Sequence, residues 1–434
     1  MAEQPRFGII NPQPYMAQAL GELGQHCGVH EIEARTWHPA ELEAIAADCR
    51  ERGIRSVGGF AQKDAFHHIL INEQLGNPVP SRLAFFYCMN KYLMRTLERN
   101  PFFFTHVDPL TESDDEIIAR IPDDEWPFML KNTSLSLGRG IFKIPDADKL
   151  RYVLASYRDD WELQNLIASQ AASYLDGVDP DDVPAIAPPF VAEHYVDINQ
   201  CVEYCHEGYI TADGRIVHYA LTEEIYFSDH QALGYLTPPV SIDTEMANRI
   251  EAWVEDYMSS LVELGYRNQF FNLEFWIMPD GTINLTEINP RAAHTYHYNY
   301  WYSFGNSLYG DNLVLAAGDT PSDRTPWQKW RADEPGLYTL IVLITGKEAG
   351  KVNEILDYDY VEQLEHDEGV LIRHTKRADE EIREADLTAA GVMLQQLWIT
   401  GESLPDLIRR EREIRSKIYR NPQTDVEYPA YWQA

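Results

Sequence analysis

Two apolar stretches of the sequence carry acidic side chains in a pattern that few folds can accommodate. Residues 269–277 and 282–288 have the apolar composition of strands, and the Pro279-Asp280-Gly281 turn between them predicts an antiparallel pair. Glu274 lies in the first stretch and Glu287 in the second. Because side chains alternate between the faces of a sheet, this pairing can place both carboxylates on one face. A carboxylate inside an apolar strand is costly without a partner, so the pair indicates a functional site.

Asn289 follows Glu287 by two residues and is therefore expected on the same face. Two carboxylates and an amide oxygen are ligands of the kind that Mg²⁺ takes, with phosphate oxygens completing its coordination. Arg291 adds a guanidinium fork, which suits a developing phosphate or a tetrahedral oxyanion. The pattern predicts a Mg²⁺ (or Mn²⁺) site at Glu274, Glu287 and Asn289 beside a nucleotide. The alternative is an acidic hairpin on the surface.

A second group of candidate residues surrounds a loop of small side chains. Residues 128–131 and 141–144 are predicted strands of a hairpin with a flexible tip. Backbone N–H groups in such a tip can approach phosphate oxygens. The candidate contacts in this region are Lys131, Ser134, Gly138 and Gly140. Lys91 begins a predicted helical stretch at 91–99, from which it could reach the same anion.

The N-terminal part of the chain alternates strand-like and helical stretches. Strands are predicted at 7–10, 29–34 and 56–57, and helices at 16–23 and 39–52. This alternation predicts a parallel sheet of the Rossmann-like kind. No Gly-x-Gly-x-x-Gly follows any of these strands, so the layer need not bind a dinucleotide.

The rest of the chain gives weaker signals. Residues 190–228 are predicted to form several strands, with Asp213-Gly214 as a two-residue hairpin turn. Residues 244–263 are predicted to be helical, and 319–336 to be a connection. A strand is predicted at 337–344, and a helix with a solvated charged face at 404–419.

The composition narrows the classes of partner. Lys plus Arg number 36 and Asp plus Glu 69, which gives a net charge of −33. Such a charge repels nucleic acid and anionic membranes, so neither is expected as a partner. No long apolar run or secretory leader is evident, and we expect a cytoplasmic protein. Five sparse cysteines argue against a disulfide framework, and Cys201 and Cys205 are a weak metal signal.

Together these residues resemble the ATP-grasp superfamily of carboxylate–amine ligases, which includes biotin carboxylase, D-alanine–D-alanine ligase and bacterial L-amino acid ligases. The resemblance covers residues 5–400. It rests on the segments MNKYLMRTLE, PFMLKNTSLSLGRGIFKI, FVAEHYVD, FNLEFWI and TEINPRAA. It implies an α/β protein, α+β in its central part, with the ATP-grasp fold. The implied parts are an N-terminal Rossmann-like pre-ATP-grasp domain at 1–110, an ATP-grasp domain at 111–320 with its lid at about 120–210, and a C-terminal α/β lobe at 321–434.

The resemblance also implies roles for the candidate residues. Lys91 and Lys131 would bind the phosphates of ATP under the lid loop that holds Ser134, Gly138 and Gly140. Glu193 would lie in the hinge strand that contacts the adenine and ribose. Glu274, Glu287 and Asn289 would hold two Mg²⁺ ions, while Arg291, together with Lys131, would act in catalysis. The lid has two glycines where that of biotin carboxylase is nearly all glycine, which argues against bicarbonate as the substrate.

The implied activity is ATP- and Mg²⁺-dependent ligation of a carboxylate to an amine through an acyl phosphate, with amino acids or dipeptides as possible substrates and ADP and phosphate as products. Two alternatives stay open: carboxylation with bicarbonate, and nucleotide binding without turnover. The aromatic stretch 292–302 could line the acceptor pocket, and His294 or His297 could act as a base if it titrates near neutral pH. The partners would be small molecules, and a homodimer is expected by analogy.

Overall fold

A computed structural model of the chain describes residues 4–135, 140–197, 200–226, 232–321, 336–387 and 391–421. Gly138, the tip of its loop and most of the predicted connection at 319–336 lie outside the described residues. The helices are α1 (Ala17–Leu23), α2 (Pro39–Glu51), α3 (Gln62–Leu75), α4 (Arg82–Met89), α5 (Lys91–Arg95), α6 (Asp114–Ala119), α7 (Ala147–Asp159), α8 (Trp161–Leu175), α9 (Thr244–Glu263), α10 (His297–Phe304), α11 (Leu308–Ala316), α12 (Val352–Ile355), α13 (Tyr358–Leu364) and α14 (Leu404–Ile418).

The strands are β1 (Arg6–Ile10), β2 (Gly28–Ile32), β3 (Ile54–Gly58), β4 (Phe104–Val107), β5 (Phe128–Asn132), β6 (Ile141–Ile144), β7 (Phe190–His194), β8 (Val202–Ile210), β9 (Ile216–Tyr226), β10 (Ala232–Thr237), β11 (Gln269–Ile277), β12 (Ile283–Asn289), β13 (Tyr338–Gly346), β14 (Gly350–Lys351), β15 (Val370–His374), β16 (Glu381–Ile382) and β17 (Val392–Gly401). No helix within these described ranges has the length and apolar character that a membrane crossing needs.

The N-terminal strands form the predicted parallel sheet, in the order β2-β1-β3. At the end of β1 the chain turns at Asn11, which has a positive φ of 46°. The Asn11 side chain donates to the backbone oxygen of Ala34 at 2.9 Å and to Asp64 Oδ1 at 2.8 Å. These bonds hold the segment after β1 in place, and that segment includes Tyr15.

A second sheet, ordered β4-β7-β5-β6, contains the predicted hairpin. Strands β5 and β6 are antiparallel, with Lys131 opposite Ile141. Helix α7 covers this sheet because Leu150, Val153 and Leu154 recur at helical spacing and are buried. The sheet therefore presents Lys131 and, on the neighbouring strand β7, Glu193 from a rigid frame.

The largest sheet within the described ranges runs β12-β11-β8-β9-β10-β13-β17-β15. The antiparallel pairing of β11 and β12 confirms the hairpin predicted around Pro279-Asp280-Gly281. Strand β10 pairs with β13 from Gly234–Val342 to Thr237–Thr339, so one sheet continues across the predicted domain boundary at 320. The division of the chain into three domains stays a prediction.

Two local predictions need correction, and the structure adds detail to a third. The β8–β9 turn is longer than two residues, because Thr211 N–H donates to Arg215 O and leaves residues 212–214 as the connection. Helix α5 ends at Arg95, well before 99, because the backbone N–H groups of Leu97 and Glu98 bond only three residues back, to Met94 O at 3.3 Å and to Arg95 O at 3.1 Å. Helix α14 has the predicted solvated charged face, formed by Arg409, Glu413 and Lys417, while its opposite face buries an ion pair of 2.6 Å between Arg415 and Glu411.

Candidate active site

The three predicted metal ligands lie together at the end of the β11–β12 hairpin. Glu274 stands directly opposite Glu287, and Asn272 stands opposite Asn289. Asn289 Nδ2 donates to Glu274 Oε1 at 3.0 Å and to Glu287 Oε1 at 3.4 Å. Strand pairing thus brings Glu274, Glu287 and Asn289 onto one face, as the alternation predicts.

The two carboxylates have different electrostatic environments. Burial raises the pKa of Glu274 well above its usual range, and repulsion from Glu287 and Glu203 adds to the effect. Burial also acts on Glu287, but the nearby cations, led by Lys91, outweigh it and lower the pKa of that carboxyl. Lys91 Nζ lies 3.2 Å from Glu287 Oε2. A cation bound between the two carboxylates would relieve the repulsion that contributes to the raised pKa of Glu274.

Two further glutamates lie in strands β8 and β9 next to this cluster. Glu203 stands opposite Glu224, and the Tyr226 hydroxyl donates to Glu203 Oε2 at 2.6 Å. Burial raises the pKa of both carboxyls. Repulsion from the carboxylates of Glu203 and Glu274 raises the pKa of Glu224 further. The sequence interpretation missed these two residues, although each is an acidic residue inside an apolar strand, the signal that identified Glu274.

Lys131 and Glu193 form an ion pair whose atoms Nζ and Oε2 are 2.8 Å apart. Arg95 approaches the same carboxylate through two nitrogens, with Nη2 at 3.0 Å from Oε2 and Nε at 3.3 Å from Oε1. Burial favours the neutral form of Glu193, but Arg95 and Lys131 outweigh it and bring its pKa to about 2. Glu193 therefore anchors two cations, and its role at adenine and ribose stays a prediction.

Lys91 joins the carboxylate cluster to the loop after β5. Its Nζ donates to the backbone oxygen of Leu135 at 3.0 Å, and its backbone N–H donates to Thr133 O at 3.0 Å. Ser134 lies between these contacts, and its N–H donates to Asn132 Oδ1 at 3.0 Å. On the far side of the loop, Gly140 has a φ of +71°, and its carbonyl accepts from the Asn132 N–H. One lysine thus contacts both groups of candidates.

Hydrogen bonds to Asn289 and Glu207 hold Arg291 and the turn that carries it. Arg291 Nη2 donates to Asn289 Oδ1 at 3.3 Å, and its backbone N–H donates to Asn289 O at 2.8 Å. Two residues on, Ala293 N–H donates to Glu207 Oε1 at 3.0 Å. Glu207 is fully buried on β8, and burial raises its pKa to about 8. Glu207 is another residue that sequence reasoning missed.

The raised pKa of Glu207 gives a stability prediction. A carboxyl whose pKa is raised on folding stabilises the folded state fully below its ordinary pKa, and this contribution is lost as pH rises to about 8. The Glu207→Gln variant stays neutral, so we expect its stability relative to wild type to increase by up to about 1.4 kcal/mol per pH unit across that window. Urea unfolding over a pH series measures the difference. Glu263→Gln, a change at an exposed glutamate, should show no such trend.

The two histidines after Arg291 do not fit the role of a base near neutral pH. Burial, reinforced by Arg291 and Arg373, lowers the pKa of His294 to about 3. Burial alone lowers that of His297 to about 3, and its ring stacks on Tyr309 at a centroid distance of 4.0 Å. His294 is hydrogen-bonded to the Tyr15 hydroxyl through Nδ1. Tertiary packing, which the sequence does not display, keeps both rings neutral.

The donor set fits Mg²⁺ bound together with a nucleotide. Across the described ranges, no three His, Cys, Asp or Glu side chains are arranged to hold a metal by themselves. The cluster instead offers two carboxylates and the oxygen of Asn289, and Mg²⁺ typically takes one or two carboxylates and completes its shell with phosphate and water. The nearby Lys91 and Lys131 are cations that phosphates require. Cys201 and Cys205 take no part in this set.

Comparisons with known proteins identify the fold. No protein-family model matches the chain, and neither does any curated protein sequence. Among solved structures, the L-amino acid ligase from Bacillus licheniformis superposes with a TM-score of 0.68 at 13% identity, covering 99% of this chain and 100% of that one. The biotin carboxylase domain dimer of Hydrogenobacter thermophilus 2-oxoglutarate carboxylase, in complex with MgADP, ADP and bicarbonate, gives 0.63 at 14% identity over 98% and 91%.

A third structure is N5-carboxyaminoimidazole synthase from Aspergillus clavatus in complex with ADP and 5-aminoimidazole ribonucleotide. It superposes with a TM-score of 0.63 at 14% identity, covering 95% of this chain and 99% of that one. These likenesses extend over nearly the whole chain. The chain therefore has the ATP-grasp fold, which confirms the fold predicted from the sequence.

Proposed function

We propose that this chain is an ATP- and Mg²⁺-dependent ligase that joins a carboxylate to an amine. The observation that carries the proposal is the convergence of Glu274, Glu287 and Asn289 with Lys91, next to Arg291. Oxygen donors for a divalent cation and cations for phosphates meet there within one ion-paired cluster. The fold shared with an L-amino acid ligase supports the same conclusion.

The proposed reaction has two covalent steps. A carboxylate oxygen attacks the γ-phosphorus of ATP, the bond from that phosphorus to the bridging oxygen breaks, and ADP leaves. The amine nitrogen then attacks the carbonyl carbon of the acyl phosphate, phosphate leaves, and the amine proton passes to solvent or to a base. Bound Mg²⁺ would neutralise the phosphate oxygens. Catalysis of this kind depends on positioning and on charge neutralisation.

The residues of the chain divide this work. Glu274, Glu287 and Asn289 would hold the metal, while Lys91 and Lys131 would bind phosphate oxygens by exchanging their present partners Glu287 and Glu193. Ser134 and Gly140, with Gly138 between them, would cover the phosphates. Arg291 would stabilise the charge that develops on the oxygens being transferred or released. His294 and His297, both neutral, would shape the wall of the acceptor site.

Two classes of substrate are candidates for this ligase. Ligation of amino acids is the first candidate, because the superposition with the L-amino acid ligase extends over both chains. Carboxylation with bicarbonate is the second, because the biotin carboxylase domain superposes nearly as well. A cytoplasmic location and a homodimer complete the proposal; the biotin carboxylase domain is itself a dimer.

One assay tests the function. The purified chain is incubated with ATP, Mg²⁺, pooled amino acids, small carboxylic acids and labelled bicarbonate, and nucleotides and products are resolved by mass spectrometry. ADP with a condensed product is the expected result. Incorporation of labelled bicarbonate would support the carboxylase alternative. Formation of AMP in place of ADP would indicate adenylation of the carboxylate and contradict the acyl-phosphate mechanism. ATP binding without turnover would favour a nucleotide-binding protein.

A further inference from the structure

A cavity of about 600 Å³ lies where the segment after β1 meets the edge strand β15. Its lining includes Gln13, Pro14 and Tyr15 from the N-terminal part, and Leu371, Arg373 and Thr375 from the C-terminal part. This volume is within the usual range of small-molecule sites, roughly 300–1,000 Å³. The candidate active site does not include these residues.

Arg373 is the only arginine among the described residues that line this cavity. Within the described ranges no carboxylate forms an ion pair with it, although acidic residues outnumber basic ones by 69 to 36. Its polar contact is Nη1 to Gln396 Oε1 at 3.2 Å, and its guanidinium lies 4.7 Å from the centre of the Tyr15 ring. A guanidinium has five N–H donors, so most of its capacity stays available for an anion in the cavity.

The cavity wall that holds Arg373 is fixed on both sides. Strand β15 places Arg373 opposite Gln396 of β17, on the same face as Leu371. Tyr15 packs against Trp398 with ring centroids 5.6 Å apart, and Asn11 holds the segment before it. A site built from fixed walls can bind a small ligand with little ordering cost.

The cavity is connected to the candidate active site through one hydrogen bond. The Tyr15 hydroxyl is bonded to His294, which follows Arg291 by three residues. Arg291 and Arg373 both act electrostatically on Tyr15 and on His294, and the Arg373 guanidinium lies 4.7 Å from the centre of the Tyr15 ring. Glu365, the carboxylate in the lining, is paired with His374 at 2.7 Å and leaves Arg373 as the cation available to an anion.

We propose that this cavity is a substrate subsite in which Arg373 binds a carboxylate that is not the one being activated. The inference rests on the proposed function, since it assigns the site to a substrate of that ligase. It restricts the substrates to molecules with a spare carboxylate, either on the amine, as in an α-amino acid, or on the acyl donor, as in a dicarboxylate. Leu371 and the Tyr15 ring would contact the apolar part of that molecule.

Binding measurements on the full chain test this subsite. The protein with Mg²⁺ and a non-hydrolysable ATP analogue is titrated calorimetrically with the standard L-amino acids, with succinate and glutarate, and with the amides of those that bind. We expect Arg373→Met to weaken carboxylate probes by roughly ten- to a hundred-fold, as for loss of a charge-assisted hydrogen bond, and to leave amide probes and the nucleotide unchanged. Arg373→Gln, which keeps a polar group beside Gln396, should give the same loss if the Met variant is unstable.

Arg377→Met is the matched control, because Arg377 lies on the same segment, is 81% exposed and pairs with Asp379. Binding of amino acids alone would place the spare carboxylate on the amine, and binding of dicarboxylates alone would place it on the acyl donor. The subsite is refuted if Arg373→Met binds the carboxylate probes as tightly as wild type, if amides bind wild type equally well, or if no carboxylate probe binds. Carboxylate binding through Arg373 without binding of the ATP analogue would refute the proposed function and leave the subsite standing.

Discussion

The Glu287→Gln variant is expected to lose turnover by about a hundred- to a thousand-fold while keeping its fold, a loss of the size seen when one preorganised electrostatic group is removed. The amide has the shape of the carboxylate but lacks its charge, so it would hold a divalent cation poorly. It would also leave Lys91 without its partner at 3.2 Å. The measurement is the rate of ADP release with the substrates that the product assay identifies.

Glu263→Gln makes the same chemical change on the exposed end of α9 and should keep wild-type turnover. Nucleotide affinity is measured in parallel with and without Mg²⁺. The difference between the two conditions should be large in wild type and small in Glu287→Gln. Wild-type turnover in that variant would remove Glu287 from the proposed metal site.

The Arg95→Met variant is expected to be destabilised by about 3–5 kcal/mol, the usual cost of removing one partner of a buried ion pair. Arg95 is 4% exposed and bonds to Glu193, Glu98 and Asn284. Its loss would leave Glu98 buried without that charge and Glu193 with Lys131 alone. Urea unfolding measures the change.

Arg99→Met is the control for that experiment, because Arg99 is 75% exposed and pairs with Asp256 at the surface. A surface pair contributes about 0–1 kcal/mol, so the control should unfold nearly as wild type does.

The stability that the ion pairs of Glu193 contribute depends on pH. Because its pKa is lowered to about 2, this stability is present above the ordinary pKa of a glutamate and is lost as pH falls toward 2. Arg95→Met should lose less stability over that acid range than wild type, and an equal loss would contradict the assignment.

Local patterns in the sequence are sufficient to predict part of the candidate active site. The sequence predicts Glu274, Glu287 and Asn289 together because strand alternation and one turn determine which side chains share a face. It also predicts Lys131 and Gly140 near one loop, because both residues belong to one hairpin. The Rossmann-like sheet followed from the alternation of short strands and helices.

Other parts of the site depend on contacts between residues far apart in the chain. Arg95 lies four residues after Lys91 on the same helix, yet its partner Glu193 is 98 residues away. Glu207 contacts Ala293 across 86 residues, and the neutral state of His294 comes from packing that no local pattern records. The pairing of β10 with β13 likewise joins strands separated by about a hundred residues, and no periodicity in the sequence reveals it.

That pairing has a consequence for how the chain can be divided. A protein truncated near residue 320 would keep β10 but lose β13, and would present a row of unpaired N–H and C=O groups along an open sheet edge. Such an edge recruits other chains, so the truncated form should aggregate instead of giving an independent catalytic fragment. The C-terminal strands complete the sheet that carries the carboxylates. Recombination between related chains would therefore have to exchange the segment with β10 and the segment with β13 together.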